Sequence, residues 1–210
     1  QKFQNLWSER RDILQVFQEI DFSNLLYHTN EDMVKNIQDH PFKEEVAACI
    51  DELFNEQREL SQRIQDFYTK TGEISERRRA HYENANQRIG ERQDERCMSV
   101  YLTCRYPEIY SIYKASFYKK YCERLGIQAR RSATEKYIHY LELIDDLIQN
   151  YISKDQELLD LSAATLNENC YPDPNHRILA QDILFRTLEQ ANKAQSEADP
   201  ILNAFKTWLY

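Results

Sequence analysis

Residues 132–152 read SATEKYIHYLELIDDLIQNYI. Tyr137, Tyr140 or Leu141, Ile144, Leu147 or Ile148 and Tyr151 recur at steps of three and four. That spacing lines one face of an α-helix with apolar side chains and leaves the charged residues to the other. Ser132, with Glu135 three residues on, makes a capping box in which hydroxyl and carboxylate satisfy amides that the first turn leaves without an intrahelical partner. An amphipathic helix is therefore predicted here. The rest of the chain has the same character, since only three glycines occur (Gly72, Gly90, Gly126), valine is rare, and 30% of residues are charged. Such a composition disfavours sheet and suits long half-exposed helices. The fold predicted is all-α, a multi-helix bundle.

Downstream, residues 153–167 continue as a helix with Ser153 or Asp155 near its cap, and ENCYPDPNH (168–176) is a turn fixed by two prolines. Residues 176–195 form the next helix. A last one begins with Asp199 as cap and Pro200 in the first position.

Upstream, residues 105–127 read RYPEIYSIYKASFYKKYCERLGI, six aromatics interleaved with lysines and arginines. A helix from about Ala115 or Ser116 turns Phe117, Tyr121, Cys122 and Leu125 inward and Lys119, Lys120 and Arg124 outward, with Gly126 ending it in the left-handed position. YPEIYSIYK before it reads as a turn that folds Tyr106, Tyr110 and Tyr113 over neighbouring helix ends. Each tyrosine suits two roles: stacking on an unpaired base, or covering the core with its hydroxyl in water.

In the N-terminal half, residues 2–20 place Phe3, Leu6, Trp7, Leu14 and Phe17 on one helical face. DFSNLLYHTNED (21–32) interrupts it, Thr29 or Asn30 caps a short helix through Gln38, and Pro41 opens the next. Between 41 and 68, Val46, Ile50, Leu53, Gln57, Leu60, Ile64 and Phe67 alternate steps of four and three as a heptad seam. A seam this short suits an intramolecular helical hairpin over an intermolecular coiled coil, with dimerisation open. Residues 72–96 have few apolar anchors and read as a projecting, solvated helix. Its triple arginine, Arg77 to Arg79, has Glu73, Glu76 and Glu83 one turn away as partners. A further helix carries Cys97, Val100, Tyr101 and Cys104 inward and ends before Pro107. Two helical subdomains packed as one unit are expected, 1–104 with a long hairpin at about 41–96, and 105–210.

Net charge is −8. Residues 101–140, however, hold eight basic and three acidic side chains, and both flanks are acidic. Neutralising phosphates supplies most of the non-specific affinity of a nucleic-acid binder, and only this middle strip can do so. Its cations are Arg105, Lys114, Lys119, Lys120, Arg124, Arg130, Arg131 and Lys136.

Catalytic signatures are missing: no glycine-rich phosphate loop, GxSxG, HExxH or paired CxxC occurs. Cys170 and His176 lack a second pair of ligands for zinc. His139 reads as a satisfied structural residue, and the pairs Asp145 with Asp146 and Asp155 with Glu157 as solvated carboxylates. No catalytic residue, metal or cofactor is expected, and the chain is read as a non-enzyme. Five cysteines at irregular spacing suit reduced thiols. With no long apolar run and no charged leader, the expected setting is cytoplasmic, without membrane contact. A start at Gln1 and an apolar end, NAFKTWLY, suggest a piece of a longer protein.

Residues 89–127, IGERQDERCMSVYLTCRYPEIYSIYKASFYKKYCERLGI, followed by KYIHYLELIDDLIQNYI and CYPDPNHRILAQDILF, resemble the helical region ahead of the motor in bacterial McrB-like proteins. These are AAA-type NTPases of modification-dependent restriction and phage defence. The upstream HPFKEEVAACIDELFNEQRELSQRIQDFY fits the same region. The resemblance implies a parent protein that binds nucleotide in a later domain, forms a ring, recruits a nuclease subunit and recognises DNA through N-terminal modules. This chain has neither Walker motif, so the nucleotide chemistry of the family does not reside in it. Two functions are expected of it: an accessory domain contributing to DNA or target recognition through the basic strip, or a protein-interaction or oligomerisation module that positions the motor or senses a partner.

Overall fold

The computed structural model describes residues 2–10, 12–22, 25–26, 42–82, 93–168 and 170–189. The fold is all-α, with no strand among the described residues. The chain divides into two compact units, Gln1–Arg105 and Tyr106–Tyr210. Thr29, Asn30 and Pro41, Glu83, Ile89 and Gly90, and Asp199 and Pro200 lie outside the described residues.

The first unit contains α1 (Lys2–Arg10), α2 (Ile13–Gln18), α3 (Lys43–Leu53), α4 (Leu60–Tyr82) and α5 (Glu95–Arg105). The single helix expected over residues 2–20 is two. Asp12 adopts an extended backbone and its carboxylate accepts from the Leu14 and Gln15 amides at 3.1 and 3.3 Å, so it starts a new helix as an N-cap. The break lets α2 fold back on α1, bringing the Phe3 and Phe17 rings to 5.7 Å. Tyr101 of α5 sits at the centre of this core, 4.9 Å from Phe17 and 6.3 Å from both Phe22 and Phe67. Its buried hydroxyl donates to Gln93 at 2.8 Å. Asp94 caps α5, accepting from the Arg96 and Cys97 amides at 3.1 Å each.

The heptad seam is not continuous either. Residues 54–59 form a turn, in which Asn55 Oδ1 accepts from the Gln57 amide at 3.1 Å and bends the chain as an Asx turn. Gln57, the polar member of the seam, is exposed in that turn. Two arginines fasten the corner: Arg58 bridges Glu52 and Asp66 at 2.9 and 2.6 Å, and the buried Arg63 donates to the Leu53 carbonyl and to Glu56 at 2.8 and 2.6 Å. The hairpin is therefore α3 against α4, with Val46, Ile50 and Leu53 buried on one arm and Ile64 and Phe67 on the other.

α4 runs unbroken through Gly72, and the segment after it is less solvated than expected, since Ile74, Ser75 and Arg78 are buried. Arg77 does not rely on its own helix for a partner: it holds Glu45 of α3 through two bonds of 3.1 and 2.5 Å and lies 4.9 Å from the Phe42 ring. A Cβ added at Gly72 would meet nothing within 4 Å. Gly72→Ala is thus expected to stabilise the chain by about 0.5–1 kcal/mol, by restricting the unfolded backbone at no steric cost. A denaturant midpoint that stays put or falls in that variant would contradict the continuous helix.

The second unit contains α6 (Ala115–Leu125), α7 (Ala133–Asn150), a 3-10 turn (Ile152–Lys154), α8 (Gln156–Thr165) and α9 (Arg177–Glu189). The capping box at Ser132 and Glu135 forms as the sequence predicts, and Asp155, rather than Ser153, caps α8 through the Leu158 amide at 2.9 Å. Asp173 caps α9, accepting from the Ile178 and Leu179 amides at 3.1 and 2.9 Å. α9 packs on both α6 and α7.

The core of this unit is built on tyrosine. Tyr113 lies 5.8, 6.2 and 5.5 Å from the rings of Tyr118, Tyr137 and Tyr140, the last two edge to face. Residues 110–114 carry no regular structure, and Tyr110, Ser111 and Tyr113 among them are buried. Carbonyls there have no helix to satisfy them, and an unpaired buried carbonyl is costly. Two hydroxyls from α7 take that role: Tyr137 donates to the Ser111 carbonyl and Tyr140 to the Ile112 carbonyl, each at 3.2 Å.

Candidate nucleic-acid interface

α6 ends as its sequence requires. Gly126 sits in the left-handed region at φ 67°, the Ile127 amide reaches back to the Cys122 carbonyl at 3.0 Å, and the Gly126 amide to Glu123 at 3.2 Å. This crossed pair is the Schellman arrangement and turns the chain sharply into the 127–132 connection to α7. Leu125, expected inward, is exposed at 42%. It stands one residue past Arg124, at the end of the helix, where the turn carries it off the core.

Tyr118 fixes the connection. Its hydroxyl accepts from the Arg130 amide at 2.7 Å and is hydrogen-bonded to His139 Nδ1 of α7 at 2.8 Å. Burial pushes the Tyr118 hydroxyl above the usual phenol range, with the Arg130 amide opposing. Burial, seconded by the charge of Arg130 and opposed by Glu142, holds His139 below the ordinary imidazole range. These surroundings disfavour the charged imidazolium.

The eight cations of the basic strip divide by environment. Arg105 belongs to the first unit, where its guanidinium lies 4.7 Å from the Trp7 ring. Lys114 precedes α6 with its ammonium 4.2 Å from the Phe117 ring and 5.7 Å from Phe185. Lys120, expected outward, donates to the Leu188 carbonyl at 2.9 Å, closing the last turn of α9 onto α6. Lys136 is half-exposed on α7. Arg124, Arg130 and Arg131 are exposed, as is Lys119, whose side chain is 75% accessible and reaches Glu123 only at 3.8 Å. Lys119, Arg124, Arg130 and Arg131, on α6 and the connection that follows it, are the cations most open to a ligand's phosphates. The aromatics divide the other way: Tyr110, Tyr113, Phe117, Tyr118 and Tyr121 are buried, which removes base stacking from their repertoire, while Tyr106 is half-buried at 6.2 Å from Tyr110.

A second feature of the same unit is a cleft of about 350 Å³ between α7 and the turn before α9, lined by Glu108, Asp145, Gln149, Ser153, Asn175 and Arg177 among others. Arg177, its side chain 11% exposed, is held by Asp145 and by the Glu108 carbonyl, the latter at 3.1 Å, and Asn175 donates to that same carbonyl at 2.9 Å. Asp173 and His176 adopt positive φ, 47° and 57°, which shapes the turn. None of this was legible as spacing, because Glu108, Asp145 and Arg177 meet only through the tertiary fold.

No cluster of three or more histidine, cysteine, aspartate or glutamate side chains able to hold a metal occurs among the described residues. All five cysteines are free. Burial pushes the Cys104 thiol up to about 12 and raises Cys49 and Cys122 as well, which disfavours the nucleophilic thiolate at these three positions. No described helix is long and apolar enough to cross a membrane. No protein-family model matches the chain, and neither a curated protein nor a solved structure matches it.

Proposed function

We propose that the chain is a non-catalytic, all-helical recognition domain that takes the phosphates of DNA on Lys119, Arg124, Arg130 and Arg131. In this reading it is the accessory part of a cytoplasmic McrB-like restriction or defence NTPase, which supplies nucleotide chemistry and a nuclease subunit from elsewhere. The observation that carries the proposal is the anchored basic connection: Arg130 is held at its backbone by Tyr118, and both Arg130 and Arg131 are exposed. Rigid presentation reduces the ordering cost of binding. Contacts of this kind position a duplex without reading its sequence.

Electrophoretic mobility shift at low salt tests the proposal. The intact chain is expected to shift duplex DNA of any sequence, with affinity falling on a log–log plot against salt by about 0.9 per phosphate contacted. Replacing the four cations together with glutamate is expected to abolish the shift while leaving the helical circular dichroism unchanged. Failure of the intact chain to bind any DNA at low salt would refute it.

A further inference from the structure

α8 buries little of itself. Leu158 is its one buried side chain, whereas Leu159 and Leu161 are partly open, Ala163 and Ala164 exposed, and Leu166 at its end 41% exposed. Glu157 and Asp160, three residues apart on the helix, are exposed, Asp160 on the side away from Leu158, and the Gln156 amide steadies Asp160 at 2.8 Å. No lysine or arginine occurs from residue 155 to 168. The helix therefore presents an acidic, aliphatic face. The end of α6 and the connection after it present the opposite character on the same unit: Leu125 and Ile127 are 42% and 38% exposed, and Arg124, Arg130 and Arg131 of the same stretch are exposed too. Neither patch covers the other within one chain, since both are exposed.

We propose that these two patches meet between copies: α8 of one chain receives the 124–131 connection of a second chain, head to tail. Leu125 and Ile127 would cover the aliphatic side of α8, where Ala163 and Ala164 allow close approach, and Arg130 and Arg131 would face Glu157 and Asp160. Apolar burial supplies the attraction, and the opposed charges fix which surfaces meet. Because the two surfaces differ, each association leaves one of each kind free, so assembly is not capped at a dimer. This inference does not depend on nucleic-acid binding, with which it would compete for Arg130 and Arg131.

Sedimentation velocity of the intact chain, without nucleic acid, decides it. The expected result is a species that grows with protein concentration and dissociates as salt rises. Arg130→Glu with Arg131→Glu, and separately Glu157→Lys with Asp160→Lys, are each expected to weaken association on the order of tenfold. All four changes in one chain are expected to restore it. An equimolar mixture of the two double variants should assemble again as alternating copies, because each variant's connection is complementary to the other's α8. The α8 variant leaves the basic connection untouched, so its loss of assembly is read apart from any loss of DNA binding. Circular dichroism of each variant verifies the fold. A monomer at every concentration, or association that survives both reversals, would overturn the proposal.

Discussion

Tyr113→Ala is expected to cost about 3–5 kcal/mol, a large part of the roughly 5–15 kcal/mol that holds an ordinary domain folded. The ring is buried and touches three others at 5.5–6.2 Å, two of them edge to face. Truncation removes its own transfer free energy and leaves a cavity whose walls are rings on α6 and α7 that cannot all move inward. The 110–114 segment would also lose the side chain that fixes it over α7, exposing the carbonyls that Tyr137 and Tyr140 satisfy. The measurement is denaturant unfolding followed by near-ultraviolet circular dichroism, which reports the tyrosine packing. Tyr113→Phe keeps the ring and should retain most of the stability. Equal loss in both variants would locate the effect in the hydroxyl and contradict a packing role.

Alkaline unfolding should be equally large and cooperative. Burial first, and then the negative charge of neighbours, raise Tyr121 and Tyr140 well above the ordinary phenol range, and burial raises Tyr118 too. In the unfolded chain these phenols ionise near pH 10. Between that value and the folded one, the unfolded state has lost protons that the native state retains, so stability is intact below about pH 10 and falls as pH rises through the window. The buried thiols act in the same direction from a lower starting point, since an unfolded thiol ionises at about pH 8.5 while Cys104 is moved up to about 12. Phenolate absorbance and the loss of far-ultraviolet helical signal are therefore expected to rise together above about pH 10. Smooth ionisation of all the tyrosines in a chain that stays helical would show that the core is open to water.

How far the sequence foretold this fold depended on whether an element was set by its own residues. α7 was readable because its cap, Ser132 and Glu135, and its apolar face are local, and α6 because Gly126 marks its end. The breaks at Asp12 and Asn55 were missed for the opposite reason: periodicity continues across both, and a polar side chain turning onto its own backbone is visible only once the chain is seen to fold back. Lys120 belongs to the same class. Helical spacing puts it on the outer face, yet a flexible side chain reaches the end of α9, 68 residues away. Within the basic strip, charge count identified the region but not the division between cations held by the fold and cations left to solvent. That division follows from aromatic rings and helix ends that happen to lie nearby.

The tyrosine hydroxyls that meet the backbone at residues 111 and 112 also constrain chain length. Connections without regular structure ordinarily tolerate insertions and deletions. Here the two donors sit three residues apart on α7, nearly one helical turn, and their acceptors are consecutive carbonyls. Adding or removing one residue between Tyr110 and Lys114 would shift both acceptors past fixed donors. The irregular connection is therefore held to a single length, as a helix is held to its register.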